Sequence, residues 1–391
     1  MFFSGFVDNT GPLGIAHKQF LDLVRRRAAG FGTLGAPGYT GTGTGTITAL
    51  DTFPATITET WTLTCTAAAP NAGTFSVVGS VSGAKAAATV GVAYSNGLIA
   101  FTINDGASDF IVGDQFTIAA TAGAMPPGER WTVLRYKTDD PASHELILQG
   151  VGLSGTEEIF VGIRTYESVP ADYYNLAVAA FTGYVAGNTW AAQPGIKESG
   201  VPSHNQRIDY WLAINAQRIA FALKVGTPVY ESAYIGKFLP YATPSQYPYP
   251  VACIGMLNGA PATRYSDTTH SMGFKGSPAP LYTARPNCQI RFTDGTWGQV
   301  ESYPWNNLMI AAPDVSGLNR QLRDTNSSYP VMPVVLMKNT PNIFGELDGV
   351  GFVSNFNNTV ESTVGDGVTD WICIQDVGRT SFVDYFALRM N

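Results

Sequence analysis

Residues 239–250 read LPYATPSQYPYP, with prolines at 240, 244, 248 and 250. Proline lacks an amide proton and holds φ fixed, so this run forms neither a helix nor a central strand. It has to lie as an extended ribbon across a surface made by other parts of the chain. The residues before it are patterned to make such a surface. Residues 209–214 (DYWLAI), 218–224 (RIAFALK) and 229–238 read as three strands rich in aromatic and β-branched residues. Asn215-Ala216-Gln217 and Gly226-Thr227-Pro228 supply the turns between them. In the second strand Ile219, Phe221 and Leu223 fall on one face, Ala220 and Ala222 on the other. The stretch 208–250 is thus a β-meander followed by a packed ribbon. It holds no His, no Cys and no glycine-rich phosphate loop, so it describes an architecture rather than a reaction.

Upstream, Ala16, Phe20, Leu23, Val24 and Arg27 recur at helical spacing between Gly11-Pro12 and Gly30. This predicts an amphipathic helix over 12–29, the one long helix of the chain. Residues 30–46 are Gly/Thr-rich and read as a linker. Their glycine spacing has no strand before it and no helix after it, which excludes a phosphate loop. Residues 45–122 alternate short strands (59–66, 73–78, 88–92, 98–103, 114–119) with turn signals at 71–73, 95–97 and 104–106. That rhythm predicts a small antiparallel sandwich or barrel, insertable into a host domain if its ends lie close together.

From residue 130 onward, strands are expected at 130–136, 145–149, 159–166 and 174–184, then a loop over 185–207 before the meander. Beyond the ribbon come a short strand at 251–256, a loop-rich 258–285 and a hairpin around Asp294-Gly295. Residues 329–337 are extended and apolar, and Pro330 and Pro333 place them at an edge or outside the sheet. Strands at 346–353, 371–376 and 385–389 close the chain. The expected fold class is mainly β: an antiparallel sandwich or barrel core, one N-terminal helix and a small inserted sandwich. The expected domains are 1–44 (helix and linker), 45–122 (inserted module) and 123–391 (main β domain with long Pro/Tyr-rich loops).

Only 14% of residues are charged, against roughly a quarter in typical soluble domains. A surface so poor in charge is one expected to be covered by other subunits. Net charge is −7, and the basic residues form no run except Arg25-Arg26-Arg27, read as the solvated C-terminal end of the helix. No nucleic-acid footprint is present. No apolar run approaches the ~20 residues of a membrane span, and MFFSGF is not a secretory signal. Cys65, Cys253, Cys288 and Cys373 are scattered, as buried small hydrophobes in a chain made in a reducing cytosol would be.

His17, His144, His204 and His270 show no metal spacing, and no serine sits in a GxSxG elbow. Ser203-His204 has no recognisable third partner. Glu157-Glu158 and Asp139-Asp140 read as solvated turn carboxylates rather than a glycosidase pair. The expectation is no enzyme, no cofactor and no metal. Phe20, Leu23, Val24, Tyr241, Tyr247 and Tyr249 are the candidate subunit-contact residues, since aromatic side chains suit buried interfaces. Trp297, Tyr303 and Trp305 are the candidate glycan-stacking residues.

Two parts of the chain resemble known proteins. Residues 62–78 (TLTCTAAAPNAGTFSVV) with 105–116 (DGASDFIVGDQF) resemble a β module of tailed-bacteriophage virion proteins, including head-decoration and tail proteins. Residues 145–164 (ELILQGVGLSGTEEIFVGIR) and 229–250 (VYESAYIGKFLPYATPSQYPYP) look like a family of phage structural proteins. Together the resemblances cover most of the chain and carry over no catalytic residue. They imply a virion component of the tail or baseplate, assembled in several copies with other phage virion proteins after synthesis in the host cytoplasm. The alternatives are a neck, collar or head-decoration protein, or a module binding host-surface glycan. The 45–122 module differs between relatives, as an outward-facing addition would.

Overall fold

A computed structural model describes residues 1–152, 159–226, 229–256, 261–264, 274, 288–303, 331–338, 342–353, 358–365, 368–378 and 381–391. The chain is mainly antiparallel β with a single α-helix among the described residues, the fold class expected. It divides into two compact units, Arg26–Arg130 and Met1–Arg25 with Trp131–Asn391.

In the unit Arg26–Arg130, one sheet runs in the order Thr33–Leu34, Gln115–Thr121, Glu59–Ala69, Ala72–Gly79, Gly83–Thr89. Gly38–Thr40 also pairs with Gln115–Thr121. A second sheet joins Thr46–Thr52, Ile99–Asn104 and Ala93–Ser95. Strand alternation builds the core: Trp61, Leu63 and Cys65 point inward with Phe75, Phe101, Phe110, Phe116 and Ile118. The stretch 30–46 is not a free linker, since it supplies two of these strands. Its glycines are there for packing: a Cβ on Gly45 would lie 2.0 Å from the Phe110 ring.

The carboxylate of Asp114 is what holds this segment. It is buried and accepts hydrogen bonds from Thr42 N (3.1 Å), Gly43 N (3.0 Å), Ile111 N (3.1 Å) and Tyr39 Oη (2.9 Å). Burial alone raises the carboxyl pKa, but these hydrogen bonds more than offset that and hold it below the usual range.

In the other unit the expected meander is present. A seven-stranded sheet runs Phe2–Val7, Ile208–Ile214, Arg218–Lys224, Tyr230–Lys237, Val251–Ile254, Cys288–Arg291, Trp297–Gln299. Its first strand was not anticipated: Phe2–Val7 pairs with Ile208–Ile214, from Phe2 opposite Ala213 to Val7 opposite Ile208. A five-stranded sheet follows the order Thr132–Lys137, Glu145–Gly150, Ile159–Ser168, Tyr173–Phe181, Lys197–Val201. Its last strand lies in the stretch read as loop, because pairing to Leu176–Ala180 outweighs the poor β preference of KESGV.

A third sheet runs Glu301–Tyr303, Met332–Lys338, Asn342–Val353, Ser381–Arg389, Asp370–Gly378, Thr363–Gly365. Met332–Lys338 is therefore interior, not an edge. Pro333 is tolerated because Glu301–Tyr303 pairs only with residues 335–337, leaving Pro333 beyond the end of that short neighbour. Pro330 lies outside the described residues. The largest core is shared by the first and third sheets and includes Tyr230, Tyr234, Phe238, Ile254, Ile290, Leu336, Phe352 and Phe386.

The expected extended ribbon forms only at its start: residues 243–247 turn, with Gln246 N and Tyr247 N both donating to Thr243 O at 2.9 Å. Leu239–Pro240 pairs with Glu346 and Gly345, where a Cβ at 345 would meet Leu239 O at 2.1 Å. Tyr241 N donates to Phe344 O at 3.0 Å, and buried Tyr247 donates its hydroxyl to Arg291 O. The helix spans Ala16–Ala28, shorter than expected at its start. All four cysteines are free and buried, and burial pushes the Cys253 and Cys288 thiols up to about 12.

Replacing Asp114 with Ala removes the acceptor for three backbone amides and one phenol. The substitution is expected to destabilise the Arg26–Arg130 unit by roughly 3 kcal/mol or more. Amide exchange at residues 39–45 should accelerate in the full chain. Unchanged exchange there would show that the carboxylate does not hold the segment.

Candidate functional site

The unit formed by Met1–Arg25 and Trp131–Asn391 contains a cavity of about 280 Å³. It is built where four distant pieces of chain meet. The hairpin between Ile159–Ser168 and Tyr173–Phe181 contributes Asp172, Tyr173, Tyr174 and Asn175. Asp172 takes a left-handed backbone (φ 51°), which aspartate tolerates better than most residues. Its carboxylate lies 3.3 Å from the Arg264 guanidinium, and both side chains are about two-thirds exposed. Asn175, one residue into the buried part of the strand, donates from Nδ2 to Pro261 O (2.7 Å) and Thr263 O (2.8 Å). That pair of hydrogen bonds fixes the segment carrying Arg264.

The loop leaving Lys197–Val201 supplies Pro202, Ser203, His204 and Asn205. His204 Nδ1 accepts from Gln206 N at 3.0 Å, so the neutral ring carries its proton on Nε2. Asn205 O accepts from Ala16 N, the first residue of the helix. Ser203 Oγ is buried without a hydrogen-bond partner among the described residues. Val225, Val229 and the almost fully buried Glu231 complete the lining. The cavity thus offers an aromatic and aliphatic wall, donors and acceptors in mixture, and one exposed Asp172–Arg264 ion pair. Among the described residues, no three His, Cys, Asp or Glu side chains are grouped so as to hold a metal ion.

Behind Tyr174 lies a buried polar cluster. The His17 ring meets the Tyr174 ring edge-on at 6.0 Å. His17 Nε2 is 3.5 Å from Glu167 Oε2, and Lys18 Nζ donates to Glu167 Oε1 (2.9 Å) and to Pro141 O. Burial, then the Lys18 charge, then His144, push His17 down to about 3. His144 is also lowered, by burial and Lys18, against the pull of Glu167, Asp140 and Asp139. Spacing conceals this cluster, because its members come from a helix start, a turn and a strand end.

Ser203 and His204 line the cavity, whereas none of the candidate subunit-contact or glycan-stacking residues does. Phe20 and Val24 are buried in the chain's own core, Phe20 against Tyr210 and Phe221, so neither is presented to another subunit. Leu23 is half-buried, Tyr247 buried, and Tyr241 and Tyr249 exposed. Trp297 and Tyr303 are half-buried, and Trp297 Nε1 donates to Gly195 O at 2.8 Å. Trp305 and the Glu157-Glu158 pair lie outside the described residues. The arginine trio is not a solvated end: Arg25 bonds Asp22 at 2.7 Å and lies over Tyr136, and Arg26 bonds Asp51 at 2.7 Å. Comparison with protein-family models and with curated proteins gives no match.

The His17 environment predicts an acid-sensitive contribution to stability. Between about pH 6.5, where an unfolded histidine titrates, and about pH 3, the unfolded chain binds a proton that the folded chain does not. Stability therefore falls as pH falls through that window. In urea titrations at several pH values, His17→Gln should lose less stability between pH 7 and 4 than the parent. Equal losses would remove His17 from the account.

Proposed function

We propose that the chain is a structural component of a tailed-phage virion, a tail or baseplate protein assembled in several copies, without catalytic activity. The observation that carries this reading is an outward-facing apolar patch along the ribbon. Leu239, Tyr241 and Ile343 are 40%, 57% and 56% exposed. Leu239 pairs with Glu346 and Tyr241 N bonds Phe344 O, and Ile343 is the next residue along that strand. The half-buried rings of Phe292 and Phe344 pack on each other, with centroids 5.2 Å apart. Tyr241 Oη is held by Glu346 at 2.6 Å.

A patch already ordered by strand pairing loses little conformational entropy when a partner covers it. Rigid aromatic and aliphatic groups are what subunit interfaces place at their centres. The low charge content of the chain supports the same reading. So does the Arg26–Arg130 unit, whose termini meet at one end: the backbone of residue 123 lies against that of residue 30, and a Cβ on Gly30 would lie 2.4 Å from Arg130 Nε. An inserted module with adjacent ends is the arrangement that the phage resemblance leads one to expect.

The purified chain is expected to self-associate in sedimentation experiments, and Tyr241→Asp with Ile343→Asp should weaken association at least about tenfold. Gold-labelled antibody to residues 45–122 should decorate the tail or its distal end in electron micrographs of phage particles. Unlabelled particles, with the chain also missing from virion mass spectra, would overturn the proposal.

A further inference from the structure

We infer that the cavity between the Asp172–Asn175 turn and the 202–205 loop binds a single neutral sugar residue, a hexose or N-acetylhexosamine at the end of a longer glycan. This assignment does not rest on the virion reading, because it concerns a different surface and a different chemistry.

Size comes first. A space of about 280 Å³ falls just below the usual range of ligand pockets, roughly 300–1,000 Å³. It admits one ring rather than an extended chain. The walls are amphipathic. Tyr173, Tyr174, Pro202, Val225 and Val229 give apolar surface suited to the C–H face of a pyranose. The polar groups are of both kinds. His204 Nε2–H and the tyrosine hydroxyls donate, and the Asp172 carboxylate accepts. A ligand with hydroxyls around its rim serves both at once, whereas a purely apolar ligand would bury these groups unpaired.

Charge narrows the class further. The Arg264 guanidinium in the lining is already 3.3 Å from the Asp172 carboxylate. A guanidinium engaged in that way is not open to phosphate, sulfate or an acidic sugar, which leaves the neutral, hydroxyl-bearing class. Access sets the orientation. Asp172 and Arg264 are about two-thirds exposed, so the mouth is open and the rest of a glycan can continue into solvent. An exposed ion pair contributes little to stability, and its carboxylate can turn to a ligand hydroxyl at small cost. The aromatic residues Trp297 and Tyr303 take no part in this site.

The test is saturation-transfer NMR on the full chain with methyl glycosides of glucose, galactose, mannose, N-acetylglucosamine and N-acetylgalactosamine. Each sugar is used at about 10 mM, suited to the millimolar affinity of a single-residue contact. Transfer to at least one sugar is expected, weakened at least about tenfold by Tyr173→Ala and by His204→Ala and unchanged by Trp297→Ala. Asp172→Asn, at an exposed position, provides a variant that keeps the fold if either alanine variant loses it, and it too should weaken transfer. No transfer to any sugar would overturn the inference. So would transfer that survives all three cavity substitutions, or that inorganic phosphate or methylamine displaces more effectively than the sugar. Failure here leaves the gold-labelling result untouched, and absence from particles leaves the sugar result untouched.

Discussion

The larger unit depends on one buried ion pair. Arg218 opens the second meander strand and is almost wholly buried. Its Nε lies 3.1 Å from Asp348 Oδ2 and its Nη1 donates to Ala213 O at 2.7 Å. Asn215, in the turn before it, donates from Nδ2 to the same Asp348 oxygen at 2.5 Å. A guanidinium taken out of water is costly unless its partners are in place. The meander turn and strand Asn342–Val353 are therefore held to one mutual position, and a shifted register would strand a charge. The ribbon leaves the meander directly and pairs with that same strand through Leu239 and Pro240, so the ion pair and the ribbon's docking site share one strand.

The meander, its central strand Arg218–Lys224 and the Asp294-Gly295 hairpin were legible because period-two patterning and turn chemistry are local. The inserted sandwich was legible for the same reason, in the alternation of Trp61, Leu63 and Cys65. What escaped was non-local. Phe2–Val7 has a partner some two hundred residues away, and nothing in FFSGFV distinguishes a strand from a frayed terminus. Residues 30–46 carry the composition of a flexible linker, yet Asp114 and Phe110 turn them into packed chain. Glycine content signals a backbone without side chains, and whether it is free or tightly packed is decided elsewhere in the sequence.

The candidate interface shows the same limit from the other side. Phe20 and Val24 were selected as an apolar helical stripe, and such a stripe first serves the chain's own core. Tyr247 was selected with Tyr241 and Tyr249 as part of one aromatic run. The turn at 243–247, where Gln246 N and Tyr247 N donate to Thr243 O at 2.9 Å, sets Tyr247 in while the other two remain out. The cavity was less legible still. Its lining comes from 172–175, 202–205, 225–231 and 264, and only Ser203-His204 stood out locally.

Strand Tyr230–Lys237 ties these features together. All eight of its residues are buried. It starts beside the cavity, where Glu231 is part of the lining, and ends where Leu239 carries the chain out to the exposed patch. Tyr234, midway, donates its hydroxyl to Lys237 O and accepts from Asp348 N at 3.4 Å, which links it to the buried ion pair. Cavity and patch are thus presented by opposite ends of one rigid, fully packed element. A scaffold of that kind holds two surfaces at a fixed separation without either having to be flexible. That is what the proposed subunit contacts and the proposed sugar site would together require of the scaffold.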